Sequence, residues 1–187
     1  MSLIDRTYFV GELNIPNTSQ AAISSLTDLF IEKYEDKWLN EVLGYSLSKA
    51  FKAGWAAPVP ESKWFDLVDG VEYTSSDGKT KFWRGLVSAV SGNVAFDLSP
   101  IANYVYYWFI RNNYTQTATT GEVKPQNENA VIANPSLKMV LAWNEMSAWV
   151  CELVDYLNAK KDDYTEWADQ DIWCMLRKFM PINEFNI

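Results

Sequence analysis

Apolar residues in the first part of the chain recur at the spacing of one face of a helix. Between Ser19 and Leu43 they follow one another at steps of three and four, which predicts an amphipathic helix. Gly44 is placed to end this helix, and a second, short helix is predicted from Ser46 to Ala53. The candidate N-caps are Asn17, Thr18 and Ser19. The apolar stripe consists of Ile23, Leu26, Phe30, Tyr34, Trp38 and Val42.

A turn signal separates two short runs with strand character in the next part of the chain. The turn is Ser76-Asp77-Gly78-Lys79, and it predicts a β-hairpin of Val71–Thr74 with Thr80–Trp83. A helical turn from Glu61 to Leu67 is expected before it. Because a two-stranded hairpin is marginal alone, this one must pack on a helix or join a neighbour's sheet.

Two cap-plus-proline signals start the helices of the second half. Ser99-Pro100 predicts a helix to about Tyr114 that is apolar nearly all round, and such a helix is usually central. Asn134-Pro135 predicts a helix to Ala159. A last helix is predicted from Tyr164 to Phe179, with Asp162 or Asp163 as its N-cap.

These elements predict a mainly α fold. We expect a bundle of about five helices with a small β-hairpin and one long extended loop, in a single domain over residues 1–187. Hydrophobic residues make up 48% of the chain and charged residues 21%, which is sufficient for a core. No internal repeat is present.

The segment from Thr115 to Asn134 contains few large apolar residues, although both flanking segments are strongly aromatic. A structureless loop of this length is uncommon inside a compact domain and indicates a functional arm or a disordered segment. We interpret it as a protruding interaction loop that binds a neighbouring subunit or another partner. Its candidate interface residues are Thr119, Thr120, Gly121, Glu122, Val123, Lys124, Asn127, Glu128 and Asn129.

Aromatic content and charge narrow the class of partner. Nine Trp, ten Tyr and nine Phe are many for 187 residues, and the rings beyond those of the core are suited to subunit contacts. The formal net charge of −8 argues against a sequence-independent grip on nucleic-acid phosphates. No uncharged apolar run is long enough to span a membrane, and the N-terminus lacks a signal-peptide pattern. We therefore expect a reducing, cytosolic setting.

The chain lacks the residues that several kinds of catalysis require. The chain has no histidine, which removes Ser-His-Asp and Cys-His nucleophile systems, and neither glycine-rich phosphate motif occurs. Cys151 and Cys174 are expected to be buried thiols, with a disulfide as the alternative. No catalytic residue, metal site or cofactor is predicted.

Two weaker possibilities remain open. Glu145, Glu152 and Asp155 could supply paired carboxylates for glycoside chemistry, although a solvated acidic face explains them as well. The acidic residues from Asp162 to Asp171 lack calcium-loop spacing. Sugar stacking is possible for four tryptophans: Trp38, Trp55, Trp64 and Trp83.

Several segments together resemble the head–tail connector (head-completion) proteins of tailed bacteriophages and prophages. The first helix, ending LFIEKYEDKWLNEVLGYSLSKAF, runs into a Leu-Gly turn and a short helix, as in that family. The segment VDGVEYTSSDGKTKFWRGL is also similar to phage and prophage relatives. Thr120-Gly121, Asn127-Glu128-Asn129 and the helical Ala142-Trp143-Asn144 extend the resemblance over most of the chain.

The resemblance implies a structural role without a reaction or a cofactor. Such proteins form a homo-oligomeric ring, usually about twelve-fold, beneath the capsid portal. The ring extends the DNA channel, lets DNA pass without specific binding, and gives tail-side proteins a docking surface. The expected locations are the host cytoplasm during assembly and then the head–tail junction of the virion. The alternatives are a carboxylate-dependent carbohydrate-active enzyme and a cytosolic protein-binding adaptor.

Overall fold

A computed structural model describes residues 2–15, 20–90, 96–113, 116–118, 121–123 and 136–182. The fold is mainly α, as predicted, with six α-helices among these residues. The helices are α1 (Ala21–Val42), α2 (Gly44–Trp55), α3 (Ser62–Asp69), α4 (Pro100–Asn113), α5 (Ser136–Ala159) and α6 (Ile172–Lys178). Short 3-10 helices span Arg6–Tyr8, Gly11–Leu13 and Thr165–Asp169.

Six strands form antiparallel pairs in the described part of the chain. The pairs are β1 (Val71–Thr74) with β2 (Thr80–Trp83), β3 (Ser88–Val90) with β4 (Phe96–Leu98), and β5 (Gln116–Ala118) with β6 (Gly121–Val123). The first pair confirms the predicted hairpin. The second pair and third pair were not predicted, because strands of three residues give almost no periodic signal.

The core is built around α4 and α5, which pack against each other. The rings of Tyr107 on α4 and Trp143 on α5 have centroids 4.7 Å apart near the linked ends of the two helices. Helix α1 also packs on α4, where the Tyr34 ring stacks on Trp108 with a centroid distance of 5.4 Å. As the sequence predicted, α4 is therefore central, and most of its side chains are buried.

The hairpin β1–β2 packs on α5, which supplies the support that an isolated hairpin lacks. Trp83 of β2 stacks on Tyr156 of α5 at 5.7 Å, and Tyr73 meets the same ring edge-on at 5.3 Å. The link from β2 to β3 closes back on α3, since Leu86 N–H donates to Leu67 O at 3.1 Å. At Gly85 φ is +85°, and a β-carbon there would lie 2.3 Å from Val68 O, so only glycine fits.

The predicted helix from Tyr164 to Phe179 is wrong as a continuous element. The 3-10 helix Thr165–Asp169 is followed by a break at Gln170, and α6 starts afresh with Asp171 as its N-cap. Asp171 accepts a hydrogen bond from Cys174 N–H at 2.9 Å, so the capping acid is Asp171, and not Asp162 or Asp163. The break has a tertiary cause, because the Gln170 amide donates to Glu41 O and Val42 O, both at 2.9 Å.

The predicted glycine at the end of α1 can be checked in the structure, whereas the predicted caps at its start cannot. The proposed caps Asn17, Thr18 and Ser19 lie outside the described residues, and the N-cap position is Gln20, which makes no side-chain capping bond. Gly44 has the positive φ, +77°, that was expected of a glycine at this helix junction.

Candidate interaction surfaces

The predicted interaction loop contains a short hairpin where an extended structureless segment was expected. Strand β5 pairs with β6 in the register Gln116↔Val123, Thr117↔Glu122 and Ala118↔Gly121. Of the predicted interface residues, Gly121, Glu122 and Val123 form β6. Those outside the described residues are Thr119, Thr120, Lys124, Asn127, Glu128 and Asn129.

Exposed apolar side chains lie at the N-terminal end of α5, which the chain enters after this loop. Leu137 is 54% exposed and Leu141, one turn later, is 48% exposed. The C-terminal segment contacts the next turn of α5, since Trp143 Nε1 donates to Met180 O at 2.9 Å and Ile182 N–H donates to Asn144 Oδ1 at 2.7 Å. Met180 is also exposed. We call Leu137, Leu141 and Met180 the arm-base surface.

Helix α6 presents a second exposed surface, in which an aromatic ring accompanies basic groups. Trp173 is 82% exposed, and Arg177 lies one turn further along the same face. Arg177 and Lys178 are both exposed, and neither forms a salt bridge within the part of the chain that the structure describes. We call Trp173, Arg177 and Lys178 the α6 face. No sequence pattern distinguishes Trp173 from the other tryptophans.

An open groove of about 910 Å³ lies between the N-terminal segment, α1 and the end of α2. Its apolar lining includes Ile31, Leu39, Phe51 and Trp55. Its carboxylates are Asp5, Asp28, Glu32, Glu35 and Asp36, and its ammonium groups are Lys33 and Lys52. We call it the acidic groove. Periodicity alone could not predict it, because it depends on how the N-terminal segment crosses α1.

Glu35 is the buried carboxylate of this groove, only 5% exposed. Its side chain accepts hydrogen bonds from Ser2 Oγ at 2.6 Å and from Leu3 N–H at 2.9 Å. Burial raises the pKa of the Glu35 carboxyl above its ordinary value, and these hydrogen bonds lower it in part. Glu35 therefore ties the N-terminal segment to α1.

The carboxylates considered for glycoside chemistry are held in ion pairs. Arg84 donates to Glu152 through Nε at 2.9 Å and through a terminal nitrogen at 3.0 Å, and it also donates to Glu145 at 2.9 Å. Lys81 pairs with Asp155 at 3.1 Å. Both glutamates are about half exposed on an open helix face, so this arrangement does not support a pair of acids facing each other across a cleft.

The tryptophans considered for sugar stacking are mostly core residues. Trp38, Trp64 and Trp83 are buried, and Trp55 is partly covered by Phe51 and Phe65. The prediction of a sugar-binding ring is therefore wrong for the three buried residues, whose faces are already packed.

Both cysteines are free and exposed, so the prediction of buried thiols is wrong. Partial burial, together with Asp155 and Glu152, raises the pKa of the Cys151 thiol, which makes it a poor nucleophile at neutral pH. Within the described residues, no group of three or more acidic or cysteine side chains could hold a metal ion.

No protein-family model, curated protein or solved structure matches the chain. Among the described residues, no helix is both long enough and apolar enough to cross a bilayer. The surfaces defined above therefore have to be interpreted from their own chemistry.

Proposed function

We propose that this protein is a structural subunit of a phage head–tail junction that forms a ring under the portal. In this role it extends the DNA channel and docks the tail. The supporting observation is the arm-base surface, where Leu137 and Leu141 expose apolar side chains at the start of α5, the helix that follows hairpin β5–β6 in the chain. Exposed apolar groups of this kind are typical of a surface that another protein covers.

Charge and connectivity are compatible with this role. A wall with net negative charge would repel passing DNA, although the same charge raises the cost of assembling the subunits. In a ring with head-to-tail contacts, each subunit uses two different patches, one to give and one to receive. We propose that the hairpin and the arm-base surface form one patch, which contacts a neighbouring subunit or the portal.

The proposal is tested by deleting residues 118–128, which removes β6 and its pairing with β5. We expect the shortened protein to stay folded, because α4 and α5 pack through rings such as Tyr107 and Trp143 outside the deletion. Circular dichroism would check the fold. Light scattering coupled to size exclusion would measure assembly of both proteins, alone and mixed with a portal protein.

The wild-type protein should enter a ring or a portal complex, and the shortened protein should not. A wild-type protein that stays monomeric and ignores the portal would contradict the proposal. A complex with one partner molecule and no ring would favour the adaptor instead. Because the candidate acids are ion-paired on an open surface, we propose no carbohydrate-active role.

A further inference from the structure

The acidic groove combines an apolar floor with an acidic rim. Ile31, Leu39 and Phe51 are buried along its floor, and the half-buried Trp55 also lines it. At about 910 Å³ the groove is in the range that holds a drug-sized ligand, so it has room for an aromatic side chain and the stem of a basic one. Its shape and chemistry suit a partner that presents an aromatic side chain next to a basic one.

The negative charge of the rim is only partly neutralised within the subunit. Asp28 pairs with Arg6 at 3.1 Å, and Asp36 pairs with Lys52. Glu32 is exposed and forms no salt bridge to any described residue. The groove therefore keeps an excess of negative charge for a cationic partner.

The α6 face carries the matching groups. Trp173 is the one exposed tryptophan of the nine in the chain, all of which lie in the described residues. Arg177 follows it by one helical turn, so the ring and the guanidinium point the same way. Tryptophan and arginine are the side chains that most often dominate the binding energy of an interface.

We propose that the α6 face of one copy docks in the acidic groove of a second copy. Trp173 covers the apolar floor, while Arg177 and Lys178 lie against the carboxylates near Glu32. This inference rests on the proposed ring, for which it names one subunit contact. The α6 face and the groove share no residue, so each copy can give one contact and receive another, as a head-to-tail ring requires.

Two charge-reversal variants test this contact from its two sides. The donor variant is Arg177→Glu/Lys178→Glu, and the acceptor variant is Asp28→Lys/Glu32→Lys. All four positions are exposed, so the folds should be retained, which circular dichroism would check. The matched controls are Lys160→Glu/Lys161→Glu, at the other doubled basic site, and Glu72→Lys/Asp162→Lys.

Sedimentation velocity would measure self-association up to the highest concentration at which each protein stays soluble. We expect the wild type and both controls to self-associate. The donor and acceptor variants should each self-associate at least about tenfold more weakly. A 1:1 mixture of the two variants should associate more strongly than either variant alone, because the intact groove of the donor variant meets the intact α6 face of the acceptor variant. The reversed charges at the remaining contact are again opposite in sign. Trp173→Ser, which leaves all charges in place, should weaken association as well.

Three results would overturn the contact. The first is a wild type that stays monomeric at every concentration. The second is an association that the donor and acceptor variants retain as fully as the controls. The third is a mixture that associates no more strongly than either variant alone. None of these results removes the head–tail proposal, which fails only if the protein also ignores the portal. A groove occupied by the portal would appear as portal binding that the acceptor variant alone loses.

Discussion

Trp64 lies directly against the backbone of Gly54. A β-carbon built on that glycine would stand 2.0 Å from Trp64 Nε1 and 2.6 Å from Cε2. The indole cannot easily move away, because it is 3% exposed and has the rings of Phe51 and Tyr164 at 5.7 and 5.9 Å. This contact joins α2 to α3.

Gly54→Ala should therefore destabilise the protein, although alanine normally favours a helix interior. The helix preference would contribute about 1 kcal/mol in favour, whereas overpacking costs about 1–3 kcal/mol. Urea unfolding would measure the difference, with Lys49→Ala on the exposed face of α2 as the control. A Gly54→Ala protein as stable as the wild type would show that Trp64 has room to shift.

Trp149→Ala and Trp108→Ala should differ in cost. Trp149 is 1% exposed, and its Nε1 donates to Gly85 O at 2.8 Å, so we expect a loss of about 3–5 kcal/mol. Trp108 is only partly buried, with the Tyr34 ring stacked on it and the cations of Lys37 and Arg111 over its indole, so Trp108→Ala should cost about 1–3 kcal/mol. Equal losses in urea unfolding would contradict this order.

Glu35 should make stability depend on pH. Because burial raises its folded-state pKa above the ordinary value of 4.5, the folded state holds the proton more tightly than the unfolded state does. Protonated Glu35 therefore contributes fully to the free energy of unfolding at pH values below its ordinary pKa. This contribution is lost as the pH rises through the folded-state pKa. The free energy of unfolding should fall with rising pH in this window in the wild type, and less steeply in Glu35→Gln.

The control for this pH dependence is Glu32→Gln, which removes an exposed carboxylate from the same helix. If Glu32→Gln flattened the curve as much as Glu35→Gln, general charge repulsion would explain it and burial of Glu35 would not.

Arg84 should stabilise the contact between α5 and the segment after β2 in two ways, by packing on a ring and by forming ion pairs. Its guanidinium lies 3.8 Å from the centroid of Trp149 and engages Glu145 and Glu152 together. We expect Arg84→Met to cost about 1–2 kcal/mol of stability. Arg84→Lys should recover only part of this loss, because an ammonium group lacks the planar fork that binds both glutamates. The loss should shrink in high salt. An identical loss at low and high salt would assign it to packing on Trp149.

Where local chemistry decides the structure, the sequence was sufficient. The hairpin β1–β2 follows from the turn at Asp77-Gly78, in which Gly78 has φ +79°. Hydrogen bonds from Ser75 and from Lys79 lower the pKa of Asp77 to about 2. The start of α4 follows from Ser99, whose Oγ accepts from Ile101 N–H at 3.2 Å. Caps and turns can be predicted because their partners lie within a few residues.

Where distant segments decide, the sequence was insufficient. The break at Gln170 depends on carbonyls at Glu41 and Val42, which no local pattern indicates. The exposure of Cys151, Cys174 and Trp173 likewise depends on which helix faces found neighbours. The acidic groove requires the N-terminal segment to cross α1, and the tie to Glu35 that holds it there is a tertiary contact.

The same long-range ties set an order on folding. Tyr164 Oη donates to Lys63 O, and the Gln170 amide closes the turn between α1 and α2. During synthesis, the segment from α1 to α3 leaves part of Trp64 uncovered until Tyr164 has emerged. The subunit can therefore complete its packing only late in translation, and contacts that join such remote positions slow folding.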